Sequence, residues 1–585
     1  MKAGEILING IFNGSRLLEV PFYQRSYVWD EEQWDRFLAD MEFVTKTKKP
    51  YFLGSIIFKN GPTPNTWDNF SDCKIVIDGQ QRLTTLIIFF KVLCLKTNAN
   101  GLFNREFRLE DDTIVLRHGR NDVAAFEKVM NQTEATEIKN ETPASHIISA
   151  FNYFLKHLDP EKIDRKVIKQ NVQFVCIDLL DGEDEQQVFD TINSLGVRLT
   201  TAELLKNYFY NRDNVQEYES NWVSIFEKDS ETRLYWEQEL ETGRIKRSLI
   251  DIFFDAYFQL FLQDKKYSIS AEDKIVYSRL DHLAKSYQDF IERYCDGDKS
   301  VVLGPMAEYA KCFADTFKPE YCNMGIPASS GIERINVILF GLKNTTLIPY
   351  ILYVSKNVTN QNELNKIYGV LEGYIMRRLV VHATTKNYNN LFTSLILNSV
   401  LDAQTLKERL NKGSDVTTYV PTNEDLLHGF QESKLINLQT RGILYFIESG
   451  IRPSRSSTAL LGFNSYSLEH LLPKKWRNNW DACATQELAR QRDSILLTLG
   501  NLAIIPQSLN ASIRDGNWAT KKAGKGPNNP GLAICAAGLS TIHDALQKDV
   551  WNESEISQRA IWLYEQAKSL SGFVNKDREK SKLFL

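Results

Sequence analysis

Short apolar runs alternate with longer amphipathic stretches through the first third of the chain, and helical spacing dominates afterwards. Residues 51–58, 74–78 and 172–179 are brief runs rich in β-branched and aromatic side chains, the length and make-up of strands. The run at 74–78 feeds Gly79-Gln80-Gln81-Arg82, and residues 83–95 then stay apolar apart from Lys91, predicting a buried helix. Asp30 with Gln33 three residues on forms a capping box, so a helix is expected from 31 to about 44. Residues 183–194 predict a further helix closed by Gly196 in a left-handed cap. Thr200 with Glu203 makes a second capping box and starts a helix carrying Leu204, Leu205, Lys206 and Asn207. Residues 98–165 read as a helical insertion. From about 211 to 415 the pattern is helical and rich in aromatics; Leu364, Ile367, Leu371 and Tyr374 recur at spacings of three, four and three, one apolar stripe. Arg377-Arg378 after that stripe reads either as a DNA or interdomain contact or as a salt-bridged helix end. Helices at 532–546 and 553–570 follow a Gly/Pro/Asn-rich loop at 523–531. The expectation is a multidomain α+β protein: an α/β domain over 1–210, a helical connecting domain over 211–415, and a third domain over 416–585.

At 585 residues the chain is too long for one core, which agrees with that division. The longest apolar run, 83–95, is interrupted by Lys91 and too short to span a bilayer. No basic segment followed by an apolar core and a small-residue cleavage site opens the sequence, so no membrane partner and a cytoplasmic location are expected. Eight scattered cysteines without a Cys-x-x-Cys pair argue against a disulfide framework and a structural zinc. A net charge of −4 gives no global sign of nucleic-acid binding, so any such contact must come from local patches. Lys474, Lys475 and Arg477 form one, and Arg514, Lys521, Lys522 and Lys525 another; both are equally what a solvated face looks like.

Two places carry candidate chemistry. A strand, a glycine turn and a helix N-terminus make an anion site, because backbone N–H groups and the helix dipole point at the ligand. Arg82 would add a bidentate phosphate donor there, and Asp78 could hold a metal-bound water or a ribose hydroxyl. No Walker-type glycine loop occurs, so a nucleotide site here is not a P-loop. Taken alone, an ordinary strand-to-helix turn has the same pattern. Asn193 and Lys206, on two helices meeting at a glycine turn, could face the same ligand or belong to a well-capped hairpin. The second place is Leu468-Glu469-His470-Leu471-Leu472-Pro473, followed by Gly500-Asn501 and then Asn510 nine positions on. Histidine titrates near neutrality and suits a base that activates water. Carboxylate and amide oxygens suit Mg²⁺ or Mn²⁺.

The second stretch resembles the ββα-metal fold of HNH nucleases. That resemblance implies Glu469 as a metal ligand, His470 as general base, Asn501 as the residue pinning the loop of that base, and Asn510 as the second metal ligand. Glu is less usual than Asp or His at the first position, and Asn stands for His at the last; both still supply oxygen. The segments Tyr23-Gln24-Arg25-x-Tyr27-x-Trp29, Ile77-Asp78-Gly79-Gln80-Gln81-Arg82-Leu83-Thr84 and Phe189-x-x-x-Asn193-x-x-Gly196-Val197-x-Leu199-Thr200 are similar to the N-terminal domain of GmrSD-type restriction proteins. The resemblance implies a ParB/sulfiredoxin-like N-terminal fold, with Asp78, Gly79, Gln80, Gln81, Arg82, Asn193 and Lys206 at a nucleoside triphosphate. On their extended segment Tyr23, Gln24 and Arg25 could contact an altered base or backbone and so sense a DNA modification. Lys474, Lys475, Lys521 and Lys522, flanking the nuclease motif, are expected to contact DNA phosphates. The whole then reads as a nucleotide-regulated, modification-dependent endonuclease on double-stranded DNA, of the type IV restriction class, acting in antiphage defence; a homodimer is left open. Two other functions fit the same residues: a nucleotide-dependent DNA-binding regulator with an inactive HNH domain, or a nuclease acting on RNA or unmodified DNA as a suicide effector.

Overall fold

Alternation of side chains along the N-terminal strands decides which face each residue meets. The computed structural model describes the chain apart from residues 1, 14, 22–23, 25, 62–71, 120–121, 141–143, 181–199, 211–213, 243–244, 414, 436, 454–457, 508–515, 527 and 571–585. It is an α+β protein in two compact units, Met1–Ser220 and Asn221–Leu585. In the first, strands β1 (Lys2–Leu7), β2 (Arg16–Glu19), β3 (Tyr51–Asn60), β4 (Asp72–Asp78), β5 (Leu116–Arg117) and β6 (Val172–Leu179) form one mixed sheet ordered β1-β6-β3-β4-β2-β5. β1 pairs antiparallel with β6 and β3 antiparallel with β4, while β3–β6, β2–β4 and β2–β5 are parallel. Ile56, Phe58, Val76 and Phe174 join the main core with the Glu31–Thr47, Gln80–Lys96 and His146–His157 helices. Ile57, Ile77, Ile177 and Leu179 make a smaller cluster, so the period-2 pattern separates two faces.

Both capping boxes are formed: Gln33 Oε1 accepts from Asp30 N at 2.9 Å, and Glu203 Oε2 from Thr200 N at 2.7 Å. The first helix runs one turn past expectation, to Thr47. The Gln80–Lys96 helix is buried on every side, and Lys91 lies inside it with its ammonium over the Phe103 ring at 4.7 Å. Burial, then Arg108, lowers that ammonium to about 8. The expected helical insertion at 98–165 carries the Asn100–Phe107, Val123–Met130 and His146–His157 helices among irregular segments, and β5 within it adds an edge to the sheet. The expected 183–194 helix lies outside the described residues.

The second unit is mainly helical, with a small hairpin of β7 (Glu239–Thr242) and β8 (Ile245–Ser248) that periodicity did not reveal. The Gln361–Val380 helix carries the stripe of Leu364, Ile367, Leu371 and Tyr374 inward. Arg377 and Arg378 are 1% exposed, so neither is a surface contact. Arg377 donates to Pro421 O and Asn423 Oδ1, and Arg378 to the carbonyls of Thr384, Thr417 and Tyr419. Instead of one helix over 532–546 there are two, Leu532–Cys535 and Ser540–Gln547. β9 (Tyr466–His470) and β10 (Leu502–Pro506) form an antiparallel pair packed on the Asn437–Ile451 helix, and the Glu553–Ser569 helix packs against the turn entering β10. No helix among the described residues is long and apolar enough to cross a membrane.

Candidate functional site

β9 and β10 bring two distant stretches side by side: His470 stands opposite Leu502, and Glu469 opposite Ala503. Asn501 precedes β10 in a turn at Leu499–Asn501 and is fully buried. Its Oδ1 accepts from Leu472 N at 2.8 Å, and its Nδ2 donates to Leu472 O at 2.8 Å and Leu496 O at 3.0 Å. Trp551 Nε1 donates to the same Oδ1 at 3.2 Å. One amide therefore fixes the corner that leaves His470. Among the described residues His470 Nε2 has no hydrogen-bond partner, although that atom is buried. Burial, then the charges of Lys474 and Lys521, holds the imidazole down to about 4, so at neutral pH it is unprotonated and able to accept a proton.

Glu469 is 5% exposed, and its Oε1 accepts from the ammonium of Lys521. Burial raises the carboxyl while Lys521 pulls it back. Lys521 Nζ also donates to His470 O at 2.6 Å. Lys521, expected as a DNA phosphate contact or as part of a solvated face, is instead fully buried in this structure, because the short Trp518–Ala523 helix turns it toward β9. Lys522 donates to Lys548 O at 2.8 Å, while Lys474 and Lys475 are exposed. Asn510 lies outside the described residues, and among those described no group of three His, Cys, Asp or Glu gathers. Glu469 and the His470 carbonyl nevertheless make an oxygen pair around a cation, a donor set that fits a hard divalent ion.

Arg559 was not foreseen. It is buried in the Glu553–Ser569 helix, and its Nη1 donates to Leu499 O at 3.2 Å, Gly500 O at 2.8 Å and Leu502 O at 2.9 Å. Its Nε and Nη2 donate to Thr541 O. Among the described residues it has no carboxylate partner, and burial lowers it to about 9. Gly500 permits the close approach, since a Cβ there would lie 2.2 Å from Ile556 O. The signal was available in the sequence: Arg559 falls among Ile556, Ala560 and Leu563, at core spacing.

In the first unit, Gly79 sits at φ +98° before the Gln80–Lys96 helix, and a Cβ there would lie 2.6 Å from Ile56 Cγ2. Arg82 Nη2 reaches Asp78 Oδ2 at 3.0 Å, and Arg82 Nε is buried without a partner among the described residues. Gln80 and Gln81 are buried. Gln81 clasps the preceding extended segment, accepting from Val28 N at 2.9 Å and donating to Ser26 O at 3.2 Å. Gln24 donates to Val76 O at 2.7 Å and Ile77 O at 3.2 Å. The Gln24 amide is thus turned onto β4, which ties that segment to the turn. Lys206 is buried in the Thr201–Phe209 helix; Tyr23, Arg25 and Asn193 lie outside the described residues.

Residues 7–210 match the family model of the GmrSD restriction endonuclease N-terminal domain, and residues 420–566 that of the GmrSD restriction endonucleases' C-terminal domain. Together the matches span more than half of the chain. No curated protein matches it.

Proposed function

Because the chain belongs to the GmrSD restriction endonucleases, we propose that it cleaves DNA by metal-assisted hydrolysis with His470 as general base. The observation that carries this reading is the His470 imidazole: unprotonated, its Nε2 buried and unpartnered among the described residues, on a corner that Asn501 fixes. Glu469, with Asn510, would hold Mg²⁺ or Mn²⁺, which when bound supplies a Lewis acid for the scissile phosphate. The exposed Lys474 and Lys475 would meet neighbouring phosphates. In the first unit, Asp78 to Arg82, with Lys206 and Asn193, would bind a nucleoside triphosphate, and Tyr23 to Arg25 would sense a modification on foreign DNA. The setting is defence against phage.

A second reading is favoured by one contact. With Lys521 on Glu469, the C-terminal domain could be an inactive ion-paired scaffold, leaving a nucleotide-dependent DNA-binding regulator. Incubating the protein with plasmid, modified phage DNA and RNA, plus Mg²⁺ or Mn²⁺, decides between them. Cleavage is expected on modified DNA, and His470→Ala should slow it by about 10²–10⁴-fold, the usual cost of a lost general base. Undiminished cutting by folded His470→Ala would remove the assignment; cutting of RNA alone would redirect the substrate.

A further inference from the structure

We propose that Lys521 is a resident cation of the nuclease site, whose ammonium must leave Glu469 before a divalent ion can bind there. The inference rests on the metal-dependent reading above and adds a gate to it. Lys521 is fully buried, and a buried ammonium is costly unless it is paired. Two of its partners, Glu469 Oε1 and His470 O, are a carboxylate and a carbonyl, the hard oxygens that Mg²⁺ and Mn²⁺ also choose. A metal bound at about 2.0–2.2 Å from that carboxylate would face a like charge within hydrogen-bond distance. The two cations therefore exclude each other.

The tether suits an exchange. The Trp518–Ala523 helix is anchored by Trp518, whose ring stacks on Trp551 at 5.4 Å and whose Nε1 donates to Lys548 O at 3.0 Å. The lysine backbone is thereby held, and the proposed exchange moves the charge by rotation of its four-carbon stem. With the ammonium in place, Glu469 is neutralised at rest. Once displaced, the same charge lies beside the site and can meet a phosphate as a charge-assisted donor. Lys521 is thus a gating residue in the resting site and a phosphate ligand in the loaded one.

The test uses the wild-type full chain with Mn²⁺ alone. Its lysines are acetylated with an amine-reactive ester, and the rate at each is read by peptide mass spectrometry, with exposed Lys474 and Lys475 as references. Lys521 should react far more slowly than the references without metal and several-fold faster with saturating Mn²⁺. Binding is followed separately by the electron paramagnetic resonance of free Mn²⁺. In Lys521→Met the affinity should rise by about ten- to a hundredfold, the worth of one competing charge-assisted hydrogen bond. Glu469→Gln should remove the site. If Mn²⁺ binds through Glu469 but Lys521 labelling does not change, the gate is overturned and the metal reading stands. Equal or weaker affinity in folded Lys521→Met overturns it too. If no Mn²⁺ binds through Glu469, the metal reading falls and the gate with it. Should Lys521→Met not fold, the wild-type labelling alone decides.

Discussion

His470 shows how far surroundings can move a side chain from its ordinary chemistry. Burial and the charges of Lys474 and Lys521 favour the neutral ring, so its titration lies near 4 instead of 6.5. The sign follows: the base form is present throughout neutral and mildly acidic pH and is lost only as pH falls through about 4. At constant Mn²⁺, the acid limb of kcat/KM for DNA cleavage should therefore sit well below 6.5, and Lys474→Ala, which removes a charge that lowers the ring, should shift it upward. A limb near 6.5 in the wild type would mean that the ring is not held neutral in this way. At this scale Glu469, His470 and Asn501 stood out in the sequence through their resemblance to the HNH motif, and the chemistry of hydrolysis gave a reason for the histidine and the carboxylate. Lys521 did not. A basic run looks solvated until its partner, far off along the chain, is known. Arg559 showed its burial in its core spacing with Ile556, Ala560 and Leu563, but the carbonyls it bonds have no sequence signature.

Helices and strands were legible where local chemistry decides them. The two capping boxes fix their own helix starts, and β6 has the expected limits because its apolar run is bounded on both sides. The inward turn of Arg377 and Arg378 was hidden because a stripe rule sends charges to solvent. β5 and the β7–β8 hairpin were hidden because strands so short carry no period. The same preference for buried arginine recurs between elements. Arg334 Nε and Nη2 grip Glu372 at 2.8 and 2.6 Å, while its Nη1 donates to Pro327 O at 2.8 Å and Ser449 Oγ at 2.6 Å. Three helices, Ile332–Asn336, Gln361–Val380 and Asn437–Ile451, meet at this guanidinium. Arg334→Met should destabilise the second unit by about 3–5 kcal/mol, because Glu372 is left buried and unpaired. Adding Glu372→Leu should recover most of that loss in urea unfolding. A double variant as weak as the single one would show that the orphaned charge is not the cause.

On the scale of the whole chain, a nuclease resident in its own cell has to be restrained until foreign DNA arrives. Here the residues proposed to sense and those proposed to cut are covalently joined. If the reading holds, the two activities share a coupling free energy, and coupling acts in both directions. Modified DNA should then change the rate of nucleotide turnover, and nucleotide should change the rate of cutting. Measuring both with modified and unmodified DNA, with and without nucleotide, checks this; rates independent in every combination would leave two unrelated activities on one chain. One contact bears on how such a signal would behave. Gln81 ties Ser26 and Val28 to the Gly79 turn with an uncharged amide, whereas Asp78 and Arg82 beside it are ionic and partly exposed. Dissolved ions screen exposed charges and leave a buried amide clasp untouched. Rising ionic strength should therefore weaken the proposed phosphate contact of Arg82 long before it uncouples the segment from the turn, so a protein stripped of its proposed ligands by salt would keep the mechanical link by which one is felt at the other.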